Sequence, residues 1–190
     1  IAIETLLLPH IALNEFAGPL RIDRGRLNAG PARAIAGGGN YRTEIEIDAR
    51  TKPPQMTVDL KINQMNAGLM LEELGLGDVM EGIVDFDAEL AGQGISVAQL
   101  MGGLSGHAML VSSEGRLGQG FFSLFSQGLT RQLRQLFNPG ESRESHTPIE
   151  CLVMRFDSTD GNADLSQLVW VTPDAVVVGD LGSDFTYDVL

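Results

Sequence analysis

Apolar and polar residues alternate with a period of two through much of this chain. Thr43-Glu44-Ile45-Glu46-Ile47-Asp48 and Met56-Thr57-Val58-Asp59-Leu60-Lys61-Ile62-Asn63 each place apolar side chains on one face and polar ones on the other. Val84-Asp85-Phe86-Asp87-Ala88-Glu89-Leu90 repeats the pattern with only acidic residues at the outer positions. A strand buried on both faces would read as a continuous apolar run, so these are half-exposed antiparallel strands. Thr51-Lys52-Pro53-Pro54 fits a hairpin-like connection between the first two. Shorter strands are expected around Leu6, Leu20–Ile22 and Ala32–Ile35, and longer ones over Ile149–Asp157, Ala163–Thr172, Ala175–Val178 and Phe185–Leu190. Asp160–Gly161 and Pro173–Asp174 supply turns.

Three segments switch to helical spacing. Asn66 is placed to cap a helix over Ala67–Leu74 that ends at Gly75, and Ser96 to cap one over Val97–Met101. The longest runs from about Phe121 to Phe137. Phe122, Phe125, Leu129, Leu133 and Leu136 fall at three- and four-residue steps on one side, with arginines and glutamines on the other. This amphipathic helix either lies against the sheet as part of the core or serves as a mobile cap or membrane-touching element. The second helix sits in a glycine-marked stretch, Gly92–Leu117. That stretch is expected to leave one strand, turn through the Ser96 helix and a Gly102–Gly103 break, and re-enter a strand at Ala108–Leu110 closed by a Glu114–Gly115 turn. It reads as a hinge between two sheet regions.

Composition narrows the range of functions. With 190 residues, 43% hydrophobic content and 23 glycines, the chain suits a single β-rich domain over residues 1–190 with tight turns. A formal net charge of −12 repels phosphate backbones and gives no polybasic grip on anionic membranes, so no nucleic-acid partner is expected. Cys151 is the single cysteine, which excludes an internal disulfide, and it is expected as a small hydrophobe within a strand. No run of 18 or more apolar residues occurs and the first residues read as a strand already under way, as in a segment of a longer protein.

Candidate chemistry is sparse. His10, His107 and His146 lack metal-ligand spacing, and His107 reads as a satisfied surface or half-buried strand residue. Gly103-Leu104-Ser105-Gly106 is not a nucleophile elbow, because His107 stands where Gly-x-Ser-x-Gly needs glycine and because a helix precedes it and a strand follows. Asp157–Asn162 is oxygen-rich but lacks the spacing of a calcium loop, and Gly37-Gly38-Gly39-Asn40 lacks the Lys-Ser/Thr of a phosphate loop. No catalytic residue, metal or cofactor is expected.

With these elements placed, the chain resembles the C-terminal part of the AsmA family of bacterial envelope proteins. The resemblance is carried by the order of individually weak motifs: Gly25-Arg26-Leu27, Gly30-Pro31-Ala32, the Glu44–Asp48 strand, Leu71-Glu72-Glu73-Leu74-Gly75, Glu81-Gly82 and Gly92-Gln93-Gly94. It continues through the Ser96 helix, Gly103-Leu104-Ser105-Gly106, Glu114-Gly115-Arg116-Leu117, Glu150-Cys151 to Asp157, Gly161-Asn162-Ala163 and Thr172-Pro173. The end departs from the family pattern, since Gly179-Asp180-Leu181-Gly182-Ser183-Asp184-Phe185 keeps glycines in a different spacing.

The resemblance implies a periplasmic protein anchored to the inner membrane by a segment outside this sequence. Its fold would be mainly β with a few short helices: a long curved antiparallel sheet forming an apolar groove, with the amphipathic helix packed on it or capping it. The family is related in architecture to chorein-type bridge-like lipid-transfer proteins. It therefore implies phospholipid acyl chains and envelope proteins as partners, and a role in phospholipid transport and outer-membrane assembly and homeostasis. The residues expected to contact lipid are Val58, Leu60, Val84, Phe86, Ala88, Leu90, Ala108, Leu110, Leu152, Met154 and Phe156. The rival expectation is that they form only a core beneath the helix, in a structural or protein-interaction domain of the envelope without lipid cargo.

Overall fold

The computed structural model describes residues 1–7, 11–118, 121 and 146–180, together with the backbone of 186–189. The strands are β1 (Ala2–Leu7), β2 (Ala12–Ala17), β3 (Leu20–Asp23), β4 (Arg26–Ala36), β5 (Gly39–Asp48), β6 (Gln55–Asn66), β7 (Met80–Gln93), β8 (Ser105–Gly118), β9 (His146–Ile149), β10 (Cys151–Thr159), β11 (Asn162–Val171), β12 (Ala175–Gly179) and β13 (Thr186–Val189). Helix α1 (Ala67–Glu73) joins β6 to β7, and α2 (Val97–Gly102) joins β7 to β8. All of the strands belong to one antiparallel sheet with spatial order β1-β2-β4-β5-β6-β7-β8-β10-β11-β12-β13. The order is a meander whose ends do not meet, so the sheet stays open rather than closing into a barrel.

Two long strands each carry two short partners on one edge. β4 pairs with β3 along Arg26–Ala29 and with β2 at Arg33 and Ile35. β8 pairs with β10 along Gly106–Ser112 and with β9 along Gly115–Gly118. The expected single strand Ile149–Asp157 is thus two strands, interrupted at Glu150, whose backbone N–H turns to Val171 O at 2.9 Å. The unexpected strand β2 has a similar cause. Its register against β4 is irregular between Asn14 and Ala17, and Glu15 has φ 52°, so Ala-Leu-Asn-Glu-Phe-Ala shows no alternation to read.

Both expected caps are present. Asn66 Oδ1 accepts from Leu69 N–H at 3.1 Å and Ser96 Oγ accepts from Gln99 N–H at 3.2 Å, each satisfying a donor that the first helical turn leaves free. The segment expected as a long amphipathic helix lies outside the described residues except for Phe121, which is helical and buried.

Two expectations for Gly92–Leu117 are corrected. β7 and β8 are neighbours in the same sheet, so α2 closes a long hairpin and is no hinge between sheet regions. Nor does the strand end at Glu114–Gly115: β8 runs on to Gly118, with Gly115 paired directly to Gly82. Gly82 has φ 137°, and a side chain there would meet Glu114 O at 2.5 Å. Glycine serves close backbone approach inside the ladder, a job that reads as a turn when the partner strand is unknown.

The packed core lies at one end of the sheet. It combines Val84, Leu117, Leu152, Met154, Leu165, Leu168, Trp170 and Val177 with Ala67 of α1 and with Val79, Met80, Phe121 and Ile149.

Candidate functional site

Residues paired directly across an antiparallel ladder point to the same face, so register decides which side chains form a surface. Four rows cross the central strands on one face. The first is Ile45–Val58–Leu90–Gly106–Ser158, and the second is Thr43–Leu60–Ala88–Ala108–Phe156–Leu165. The third is Tyr41–Ile62–Phe86–Leu110–Met154–Leu168, and the fourth Val84–Ser112–Leu152–Trp170–Val177. Every residue expected on the apolar face lies in these rows.

Bulges hold the rows together. Between Ile62 and Met65 strand β6 carries one residue more than β7; Gln64 takes φ 59° and its N–H donates to Asp85 Oδ1 at 2.8 Å. Between Ile83 and Val84 the extra residue is on β8, and the Ser112 hydroxyl lies 3.0 Å from both Ile83 O and Glu114 O. Without such offsets a one-residue slip would turn the apolar set to the opposite side, and each bulge also adds bend and right-handed twist.

The face is uneven. Val84, Leu152 and Met154 are buried within the packed core, and Ala88 is buried beside it. Val58, Leu60, Phe86, Leu90, Ala108, Leu110 and Phe156 are half-buried. They form an apolar strip over β6–β8 and β10 whose rims continue into Ile45 and Ile47 on β5. Ile45, Ile62, Leu165, Leu168, Trp170 and Val177 share the surface and were not singled out from sequence. The alternation of β5 and β6 already carried the first two, whereas the rest follow only from the β10–β11–β12 pairing. Phe122, Phe125, Leu129, Leu133 and Leu136 lie outside the described residues.

Polar groups on the apolar face are engaged. The Tyr41 hydroxyl donates to Met65 Sδ at 3.0 Å, and burial, reinforced by the charge of Glu73, pushes its phenol up to about 12. Thr43 Oγ1 donates to Asp59 O at 3.0 Å. Ser105, the serine of the discarded elbow, is structural: its hydroxyl accepts from Asp160 N–H at 3.1 Å and ties the β10–β11 turn to β8.

The opposite face is charged. One row runs Glu44–Asp59–Glu89–His107–Asp157–Asp164, and the next runs Arg33–Arg42–Lys61–Asp87–Met109–Arg155–Gln167. Ion pairs cross between the rows or lie along them, Lys61 Nζ to Asp87 Oδ2 at 3.1 Å and Arg155 Nη2 to Asp157 Oδ1 at 2.9 Å. The Arg155 guanidinium, with the Ser166 hydroxyl and His107 nearby, holds the Asp157 carboxyl below the usual carboxylate range. His107 is half-buried, as expected, but its register brings it beside Asp87 and Glu89, a grouping that histidine spacing along the chain could not reveal. Among the described residues no helix is long and apolar enough to cross a membrane.

The model of the AsmA family matches residues 1–168, most of the chain. No curated protein and no solved structure matches. On the family match, the chain belongs to the AsmA family of bacterial envelope proteins.

Proposed function

We propose that this chain is a non-catalytic, lipid-handling part of a longer periplasmic protein anchored to the inner membrane, and that it shelters phospholipid acyl chains along the apolar face of its sheet. The observation that carries the reading is the half-buried strip formed by Val58, Leu60, Phe86, Leu90, Ala108, Leu110 and Phe156 on one side of an open sheet. Moving an acyl chain through water costs about 0.8 kcal/mol per CH₂, or about 12 kcal/mol for a chain of about 16 carbons. Continuous apolar side chains remove most of that barrier without binding the chain so tightly that it stays. Low aromatic content and the small side chain of Ala108 leave room along the strip. In the envelope this activity contributes to phospholipid transport and outer-membrane homeostasis.

The reading assigns different jobs to the two halves of the surface. Val84, Leu152 and Met154 hold the core with Leu110 and Phe156 packed against it, while Val58, Leu60, Phe86, Leu90 and Ala108 of the half-buried strip meet the lipid. The test uses the full-length protein purified from its membrane, followed by mass spectrometry of organic extracts and photo-crosslinking from position 86. Phospholipid is expected to co-purify and to crosslink at position 86. Phe86→Asp should strongly reduce the lipid recovered, whereas Thr57→Asp, which places the same charge on the opposite face, should leave it nearly unchanged. Leu152→Asp should lower stability, because Leu152 is fully buried. Folded protein without bound phospholipid, or equal lipid loss in Phe86→Asp and Thr57→Asp, would favour the second reading. In that reading the sheet is a structural or protein-interaction platform, for which the packed end around Trp170 and Leu152 speaks.

A further inference from the structure

We propose that Asp87, Glu89 and His107 form a binding site for a divalent transition-metal ion of the Zn²⁺ class on the charged face of the sheet. Asp87 and Glu89 are two residues apart on β7 and so share a face, and His107 is directly opposite Glu89 on β8. One ligand atom from each lies within 4.8 Å of the other two. An ion at the centre of such a triangle sits within about 1 Å of the ~2.0–2.2 Å bond lengths of zinc to imidazole nitrogen and carboxylate oxygen. Small side-chain rotations close that gap without moving the backbone.

The donors stand on rigid elements. β7 and β8 are adjacent central strands, paired from Met80–Leu117 to Ala91–Ser105, and Gly106 beside His107 lets the strands approach so closely that an added side chain would collide with Glu89 O. Sites built on strands keep their geometry better than sites on loops. The donor chemistry selects the ion. One imidazole with two carboxylates suits zinc and its first-row neighbours, whereas magnesium and calcium take oxygen donors only. Three protein ligands leave a fourth tetrahedral position for water.

Local charge favours a cation as well. Asp157 on β10 pairs with His107 and Asp59 on β6 pairs with Glu89, so a further carboxylate borders the group on each side of the same row. The two nearby cations are already engaged, Lys61 with Asp87 and Arg155 with Asp157. Among the described residues Glu89 has no ion-pair partner. A bound ion would take over from Lys61 at Asp87, relieve repulsion along the acidic row, and tie together the two strands that α2 connects.

The test is metal binding to the chelator-stripped full chain. Zn²⁺ is titrated by calorimetry, and Co²⁺ serves as a spectroscopic probe whose visible bands report tetrahedral coordination. One equivalent should bind, raising the unfolding temperature. His107→Gln and Glu89→Gln should each weaken binding by at least about tenfold, the range in which even supporting ligand partners act, with the metal-free unfolding curve unchanged. His146→Gln, which alters the separate His146–Asp78 pair, should bind as the parent does. Absence of saturable binding overturns the proposal, and so does binding that survives both His107→Gln and Glu89→Gln, which would mark an adventitious ion only.

Discussion

Tyr41 illustrates how one residue's chemistry follows from its place in the sheet. Its phenol sits on the apolar face beside Met65, and burial raises its titration from the ordinary ~10 to about 12. The neutral form is favoured in the folded state. Its contribution to stability is therefore complete below pH ~10 and lost as pH rises from there through about 12. Phenolate absorbance should show a component at about 12 that Tyr41→Phe removes, and a Tyr41 component at the ordinary value would contradict the burial. The glycines show the opposite relation between sequence and role. Gly115 follows Glu114 and looks like turn punctuation, yet it faces Gly82 inside a long ladder. Only the partner strand distinguishes the two uses, because both need a residue without a side chain.

Among the elements, the two short helices were the most legible part of the chain. Asn66 and Ser96 announce their starts because an oxygen-bearing side chain just before a helix satisfies a free N–H, a purely local interaction. Their weights differ. α1 buries Ala67 and Met70, whereas α2 buries no residue. Asn66→Ala should lower global stability by about 1 kcal/mol, as read from denaturant unfolding. Ser96→Ala should leave the global midpoint almost unmoved while speeding amide exchange at Leu100 and Gly103, which bond back to Ser96 O and Gln99 O. Equal global losses in both variants would show that α2 is more tightly coupled to the sheet than its exposure indicates. Strands β5, β6 and β7 were legible from alternation, since each covers one apolar and one wet face. β2 and the break at Glu150 were not, because irregular pairing erases the period that marks a strand.

At the scale of the molecule, the sheet is open at both ends of its strand order and packed firmly toward one of them. Trp170, the chain's single tryptophan, is 1% exposed in that packed region. Its emission should be blue-shifted and resistant to acrylamide quenching, and should move with the far-ultraviolet transition on unfolding. A quenchable Trp170 in folded protein would mean that the β10–β12 end is open too, which would extend the candidate lipid strip across the whole sheet. The unequal burial of the apolar face also separates residues that alternation treats alike: Leu152 and Phe86 carry the same periodic signal, but the first lies in the core and the second on the half-buried strip.

The sequence by itself determined the class of fold, most strand positions, the two helix starts, the polarity of each strand's faces and the family. These depend on neighbours within a few residues, so period and capping chemistry suffice to read them. Only the tertiary structure decided which strands pair and in what register, where bulges keep the apolar rows aligned, which part of the apolar face is packed and which stays half-open, and that His107 stands against Glu89. Those are relations between distant segments. A period of two records which face a side chain occupies, but carries no information about the residue opposite it.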